Sequence, residues 1–153
     1  MAAYVWKTKG LFKTDANKAG QVFEELENTI GLTAENIVNV SREENAPLHK
    51  EFEWDNDIAA EEWRKRQAQN MIGNLSIVVS ETKFEEVEPI RAFFSTELHR
   101  YENIQTIMTD ASKKENLMVK AVKELQAFKK KYSMLSELSK LFKTIDEVTK
   151  EVS

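Results

Sequence analysis

Apolar residues in the first third of the chain recur every three or four positions, which is the spacing of an amphipathic helix. The first run lies between Thr14 or Asp15, either of which can cap a helix N-terminus, and Gly31, a residue type common after helix C-termini. A second helix is predicted to start at Thr33 and to end before Pro47, because the residue before a proline disfavours helix. The apolar face of the first helix is predicted to contain Ala19, Val22, Phe23, Leu26 and Ile30.

A third helix is predicted over residues 57–72, after the capping residues Asp55, Asn56 and Asp57 and before Gly73. The segment before it is too apolar for a solvated loop, so we expect it to close over the second and third helices. Its large apolar side chains are Leu48, Phe52 and Trp54. The inward stripe of the third helix is predicted to be Ala60, Trp63, Gln67 and Met71.

From Leu75 the pattern changes to β-branched and aromatic runs at residues 75–81, 90–97 and 102–109. These runs predict a small antiparallel sheet. From Asp110 or Ser112 onward, apolar residues at heptad-like spacing predict a long amphipathic helix that reaches the C-terminus. The pattern drifts out of phase near residues 133–139, so whether this helix is continuous or broken there is left open.

The predicted elements form an α+β protein. It has an N-terminal three-helix, helix-turn-helix-like unit at residues 1–74, a small antiparallel sheet at 75–110 and a long amphipathic C-terminal helix at 111–153. A length of 153 residues fits one compact domain with a sizeable core. The chain has no cysteine, which excludes disulfides and thiolate catalysis. Without an apolar stretch of membrane-spanning length, the sequence predicts a cytoplasmic protein with no membrane partner.

The overall charge of −4 is divided unevenly along the chain. Residues 1–110 have a net charge of −8 and residues 111–153 a net charge of +4. Such an imbalance can favour association between copies, although a lysine-rich solvated helix has the same composition. We therefore expect a homo-oligomer held by the C-terminal helix, whose predicted self-association residues are Met118, Leu125, Phe128, Tyr132 and Leu135.

The third helix carries the most informative surface. It is predicted to expose Arg64, Lys65, Arg66, Gln69 and Asn70, which are residue types that contact protein partners and also phosphates and base edges. Because Glu61 and Glu62 precede Lys65 and Arg66 by four residues, intrahelical pairing should neutralise much of the positive charge. This favours a protein partner, whereas a winged-helix-like DNA reader that uses this helix remains the alternative.

Other candidate sites have simpler structural explanations. The lysines at positions 7, 9 and 13, with Trp6 and Phe12, could grip nucleic acid, but such aromatics usually pack into a core. Glu81 and Lys83 resemble part of a metal-dependent nuclease site, yet a chain with 31% charged residues contains such pairs by chance. His49 and His99 have no neighbours at metal-ligand spacing. No catalytic, cofactor-binding or metal-binding residue is assigned.

Several blocks of the sequence together resemble a family of small uncharacterised proteins encoded in phages and prophages. The blocks are LTAENIV, PLHKEFEWD, AAEEWRKRQAQNMI, IRAFF and ELQAFKKKYSMLSEL. The most specific part is the spacing of Pro47, Leu48, His49, Phe52, Glu53 and Trp54 before Ala59, Ala60, Arg64 and Gln67. The resemblance implies a phage origin and a role inside the host bacterial cell, and it carries no activity onto these positions.

The sequence thus predicts a non-enzymatic interaction or regulatory protein. It would bind a host or phage macromolecule through the third helix and self-associate through the C-terminal helix. The alternative is a DNA-binding regulator, and a metal-dependent nuclease is the third class.

Overall fold

The computed structural model describes residues 3–55, 58–79, 88–97 and 99–152, apart from the side chains of residues 58 and 59. The protein is an α+β structure. The strands are β1 (Ala3–Trp6), β2 (Leu75–Val78), β3 (Ile90–Arg91), β4 (Phe93–Glu97) and β5 (Arg100–Asn103). The helices are α1 (Ala16–Asn28), α2 (Ala34–Val40), α3 (Ile58–Asn74), α4 (Ile104–Met108), α5 (Ala111–Tyr132) and α6 (Ser139–Val152). Residue contacts divide the chain into a larger unit, Met1–Thr106, and a smaller unit, Ile107–Ser153.

Three predicted helix starts are confirmed by their capping hydrogen bonds. The Asp15 side chain accepts from the N–H groups of Asn17 and Lys18 at the start of α1. Thr33 Oγ1 accepts from the N–H of Asn36, 2.9 Å away, at the start of α2, and the Asp110 side chain accepts from the N–H of Lys113 at the start of α5. Each cap satisfies N–H groups that have no partner within the helix.

The segment after α1 turns sharply at Gly31. Its N–H donates to the carbonyl of Leu26 at 2.7 Å, and its φ of 102° lies in the region that favours glycine. The predicted stop signal is therefore confirmed. Ile30, predicted on the inner face of this helix, is instead 57% exposed.

The strands form two antiparallel sheets, which confirms the predicted kind of sheet. In the first, β2 lies between β1 and β3, with Tyr4 opposite Ile77 and Ser76 opposite Arg91. The second is the β4–β5 hairpin, where Phe93 lies opposite Asn103. The N-terminal helices thus share their unit with the strands, because β1 comes from the start of the chain and pairs with β2 after α3.

The strand predicted at residues 102–109 is wrong beyond Asn103. The Asn103 side-chain oxygen accepts from the N–H of Gln105 at 2.9 Å, and the short helix α4 follows. The side chain of Asn103 is buried and donates to the Tyr4 hydroxyl at 2.9 Å. A tertiary contact therefore holds the residue that starts the helix, and β propensity along residues 104–108 does not decide their structure.

The core of the larger unit contains side chains from both sheets and from α1, α2 and α3. The Phe23 and Phe93 rings meet edge to face with centroids 5.5 Å apart. The Tyr4 ring stacks on Phe93 at 6.0 Å and lies directly over Gly20, where a Cβ atom would collide with it. Strand β1 therefore packs closely on α1 because residue 20 has no side chain.

The C-terminal segment of the smaller unit is a pair of helices, so the helical prediction for this segment is confirmed and the continuity that the sequence left open is decided in favour of a break. Helix α5 ends at Tyr132, and a 3-10 turn at Ser136–Leu138 leads into α6. Leu135 has an extended backbone, with φ −85° and ψ 91°, and Ser133 Oγ donates to the carbonyl of Lys130 at 3.2 Å. Serines bond readily to nearby backbone groups and so weaken a helix locally. Lys129 Nζ and Asp146 Oδ1, 2.6 Å apart, join the two helices.

Candidate binding surface on helix α3

The inner face of α3 differs from the predicted face by one residue. Arg64, predicted to be exposed, is only 3% exposed, whereas Trp63, predicted to face inward, is 53% exposed. Both expectations are wrong. The other buried positions on the described part of the helix are Ala68, Met71 and Ile72, which share a face with Arg64 at helical spacing.

Arg64 occupies an inner position because its donors find acceptors there. Its Nε donates to the carbonyl of Glu53, and its Nη2 donates to the carbonyl of Asp55 at 2.8 Å. Its Nη1 lies 2.9 Å from Glu61 Oε2, and the guanidinium carbon lies 5.0 Å from the centroid of the Trp54 ring. A planar cation with fixed donor directions suits this combination of carbonyls, carboxylate and aromatic face.

Trp54 is the centre of a small aromatic and charged cluster between α2 and α3. Its ring stacks on His49 with centroids 5.0 Å apart, and its Nε1 donates to the carbonyl of His49 at 2.8 Å. The predicted closure of this segment is confirmed by the burial of Leu48 and Phe52. His49 is therefore a packing residue, with Nδ1 2.8 Å from the carbonyl of Ser41.

Glu61 lies beside two arginines at the edge of this cluster. Arg42 Nη2 is 2.6 Å from one of its carboxylate oxygens, and Arg64 bonds to the other. Burial alone would raise the pKa of Glu61, but the hydrogen bond from Arg64 and the charge of Arg42 outweigh it and hold the pKa below its ordinary value. The carboxylate therefore remains charged and links Arg42, just after the end of α2, to α3.

The outer face of α3 borders a groove of about 470 Å³ within the larger unit. It lies against the start of α2 and the turn of the β4–β5 hairpin, where His99 has a φ of 64°. Three residues that the sequence predicted as a partner surface lie together here: Lys65, Arg66 and Gln69. The complete lining is Thr33, Ala34, Glu35, Glu62, Lys65, Arg66, Gln69, His99 and Tyr101.

The charges of this groove are mixed. Lys65 Nζ lies 3.5 Å from Glu62 Oε1, and Glu35 adds a second carboxylate. Arg66 is exposed and forms no ion pair with another residue in the part of the chain that the structure describes. Of the predicted surface, Arg64 is thus committed to internal contacts, whereas Lys65, Arg66, Gln69 and Asn70 remain accessible to different degrees.

Sequence reasoning missed Trp63 as part of this surface. The spacing that places it there can be read from the sequence, because Arg66 and Asn70 follow Trp63 by three and seven residues and so lie on the same face of a helix. All three side chains are exposed in the structure, which the sequence alone does not show. We call Trp63, Lys65, Arg66, Gln69 and Asn70 the α3 surface.

The other candidate sites are explained by internal contacts or are not described. Trp6 and Phe12 pack together with ring centroids 4.3 Å apart, and Trp6 Nε1 donates to the carbonyl of Thr14 at 2.7 Å. The aromatics of the N-terminal arm are thus used within the fold. Glu81 and Lys83 lie outside the described residues.

The described residues contain no group of three or more histidine, cysteine, aspartate or glutamate side chains arranged to hold a metal ion. No helix among them combines the length and the apolar character that crossing a bilayer requires.

Comparisons of the chain with protein-family models, with curated proteins and with solved structures find no match.

Proposed function

We propose that this is a non-enzymatic interaction protein that binds a protein partner through the α3 surface. The observation that carries the proposal is Trp63, a large aromatic side chain that is 53% exposed on a well-formed helix. Tryptophan and arginine are the residue types most enriched among energetically dominant interface residues. Here Arg66 follows Trp63 by one helical turn, so both can contact the same partner.

The charge of the groove lined by Lys65, Arg66 and Gln69 favours a protein over DNA as the partner. Affinity for a phosphate backbone comes mainly from cations that are free to replace counterions. Arg64 is engaged with backbone carbonyls and Glu61, and Lys65 is paired with Glu62. With Glu35 in the same lining, the groove is close to neutral, which suits the polar rim of a protein interface.

Photo-crosslinking from inside a bacterial host tests this proposal. A photoreactive amino acid placed at Gln69 should give a discrete covalent adduct with a second protein, and the same group at Gln21, an exposed glutamine on α1, should not. Adding Trp63→Ala to the Gln69 probe should remove the adduct while the protein keeps its far-UV circular dichroism. Equal adducts from both positions, or an adduct that survives Trp63→Ala, would count against the α3 surface.

We also propose that the protein self-associates through α5. Its predicted stripe remains accessible in a single chain, with Met118 46%, Leu125 38%, Phe128 39% and Leu135 46% exposed. Leu125→Asp should reduce the mass measured by light scattering across a concentration series, because a charge would be buried at the contact. A wild-type protein that is monomeric at every concentration would remove this part of the proposal.

The second candidate function is DNA binding by α3. The phage origin that the sequence resemblance implies is compatible with either function. Arg66, Gln69 and Asn70 share the exposed side of α3, and strands follow the helix as they do in winged-helix proteins. Against it, residues 41–57 separate α2 from α3, far more than the three or four of a helix-turn-helix. Duplex binding that weakens steeply between about 50 and 200 mM salt, and that Arg66→Ala reduces, would favour DNA.

A further inference from the structure

Helix α5 has one apolar stripe that stays exposed, and α6 covers the flank beside it. If Met118 is assigned to heptad position a, positions a and d of α5 contain Met118, Ala121, Leu125, Phe128 and Tyr132. Leu135 continues the spacing but lies after the end of the helix. The flanking e positions are Val122, which is 7% exposed, and Lys129, which bonds to Asp146 of α6. Helix α6 therefore lies along the e flank, and the g flank is open beside Glu124 and Lys131.

We infer that the α5–α6 hairpin pairs with the hairpin of a second copy of this chain in an antiparallel, two-fold arrangement of the two α5 helices. This inference rests on the self-association part of the proposed function and specifies its geometry. The resulting assembly is a four-helix bundle in which the two α5 helices are neighbours and the two α6 helices lie beside each other along the e flank.

The covered e flank determines the direction of pairing. Two parallel helices in register bring the g flank of one beside the e flank of the other, so the two α6 helices would lie on opposite sides of the α5 pair. Two antiparallel helices related by a two-fold axis bring g beside g and e beside e, so both α6 helices lie on the same side of the α5 pair. Only the antiparallel arrangement therefore lets the four helices enclose one common core.

Charge complementarity along the g flank supports this direction and fixes the register. In an antiparallel pair, a positions lie opposite d positions, so Leu125 lies opposite Phe128 of the other copy and Ala121 opposite Tyr132. That register brings Glu124 near Lys131 of the other copy, and the two-fold axis repeats the pair. Glu124 and Lys131 are both exposed in the single chain. Lys131 Nζ lies 5.2 Å from the centroid of its own Tyr132 ring, at the edge of the stripe.

Disulfide trapping tests the direction, because the chain has no native cysteine. Ala121→Cys and Tyr132→Cys proteins, mixed under mild oxidation, should form a mixed disulfide dimer, and Ala121→Cys alone should form little. A disulfide requires Cα atoms within about 7 Å, which opposite a and d residues of the antiparallel pair can meet. Efficient dimerisation of Ala121→Cys alone would indicate a parallel pair and would overturn the inference while leaving self-association intact.

Charge reversal gives an independent test of the register. Glu124→Lys or Lys131→Glu alone should weaken the dimer about tenfold, since two attractive pairs become repulsive. Mixing the two variants should restore association, as should combining both changes in one chain. Lys130→Glu, one position outside the flank, is the matched control and should have little effect. Failure of mixing to restore association would overturn the register. A monomeric wild type would overturn the inference together with the self-association on which it rests.

Discussion

Helices α1 and α5 are both amphipathic, yet their surroundings in the folded chain differ. Helix α1 has 13 residues and buries Ala16, Ala19, Gly20, Phe23 and Leu26. Helix α5 has 22 residues and buries only Val122. An apolar stripe therefore predicts which side of a helix will be covered, but whether the same chain covers it depends on which other elements are available. In α1 the stripe is covered by strands and α2, and in α5 most of it stays exposed.

The largest expected effect comes from removing the same side chain in the two surroundings. Phe23→Ala should lower the free energy of unfolding by about 3–5 kcal/mol, because the ring is fully buried and contacts Phe93. Phe128→Ala on α5 should cost about 1 kcal/mol or less in dilute protein, since this ring is 39% exposed. Urea unfolding followed by circular dichroism measures both. Similar losses for the two variants would show that α5 is as well packed as α1.

Helix α3 repeats this contrast on its two faces, which neighbouring arginines can probe. Arg64→Ala should lower the free energy of unfolding by about 2–4 kcal/mol, because the carbonyls of Glu53 and Asp55 would lose their donor. Arg66→Ala should change it by no more than about 0.5 kcal/mol. Fluorescence of the three tryptophans during urea unfolding reports both values. If Arg66→Ala lowers the free energy of unfolding as much as Arg64→Ala does, the exposed position of Arg66 is wrong.

These arginines also show what the sequence could predict. Local signals were sufficient to predict three helix starts and one helix end. The starts are marked by the capping residues Asp15, Thr33 and Asp110, and the end is marked by the turn at Gly31. The inner face of α3 could not be obtained in this way, because apolar periodicity assigns a tryptophan inward and an arginine outward. Arg64 faces inward because it donates to the backbone carbonyls of Glu53 and Asp55. These carbonyls lie in the segment before α3, so the periodicity of the helix itself does not indicate them.

Contacts between distant residues explain the remaining differences. Strand β1 is short, and its partner β2 lies about 70 residues away, so nothing near it in sequence indicates a strand. The α3 groove likewise combines Lys65, Arg66 and Gln69, which share a helix, with Glu35 and His99 from separate segments. Helical spacing could predict the first group, and only the fold brings in the second.

Two glycines extend the comparison between filled and open surroundings. Gly20→Ala should destabilise the protein by about 1–3 kcal/mol, because the new Cβ would displace the Tyr4 ring from α1. Gly73→Ala, in α3, meets nothing within 4 Å and should stabilise by about 0.5–1 kcal/mol through helix propensity. Thermal unfolding of the two variants beside wild type would show the opposite signs. A stabilising Gly20→Ala would mean that β1 can move away from α1 at little cost.

The smallest expected effect concerns a carboxylate on α1 that is covered without being fully paired. Glu27 Oε2 accepts from the N–H of Asn103 at 3.1 Å, whereas Oε1 is buried and has no hydrogen-bond partner among the residues that the structure describes. Burial raises the pKa of Glu27, and the nearby carboxylates of Glu102 and Glu24 raise it further, against the lowering effect of hydrogen bonds from Asn103 and Thr106. The folded protein therefore binds this proton more tightly than the unfolded chain does.

Linkage gives the sign of the resulting pH dependence. With the folded pKa above the unfolded one, this group favours folding least at high pH, and stability decreases as pH rises from the ordinary glutamate pKa through the raised value. Glu27→Gln keeps an acceptor for Asn103 and removes the charge, so its advantage over wild type in urea unfolding should grow between pH 4 and pH 7. Glu25→Gln, exposed on the same helix, should show no such trend. A Glu27→Gln protein that is less stable than wild type at pH 7 would mean that the charged carboxylate is better accommodated on α1 than its surroundings indicate.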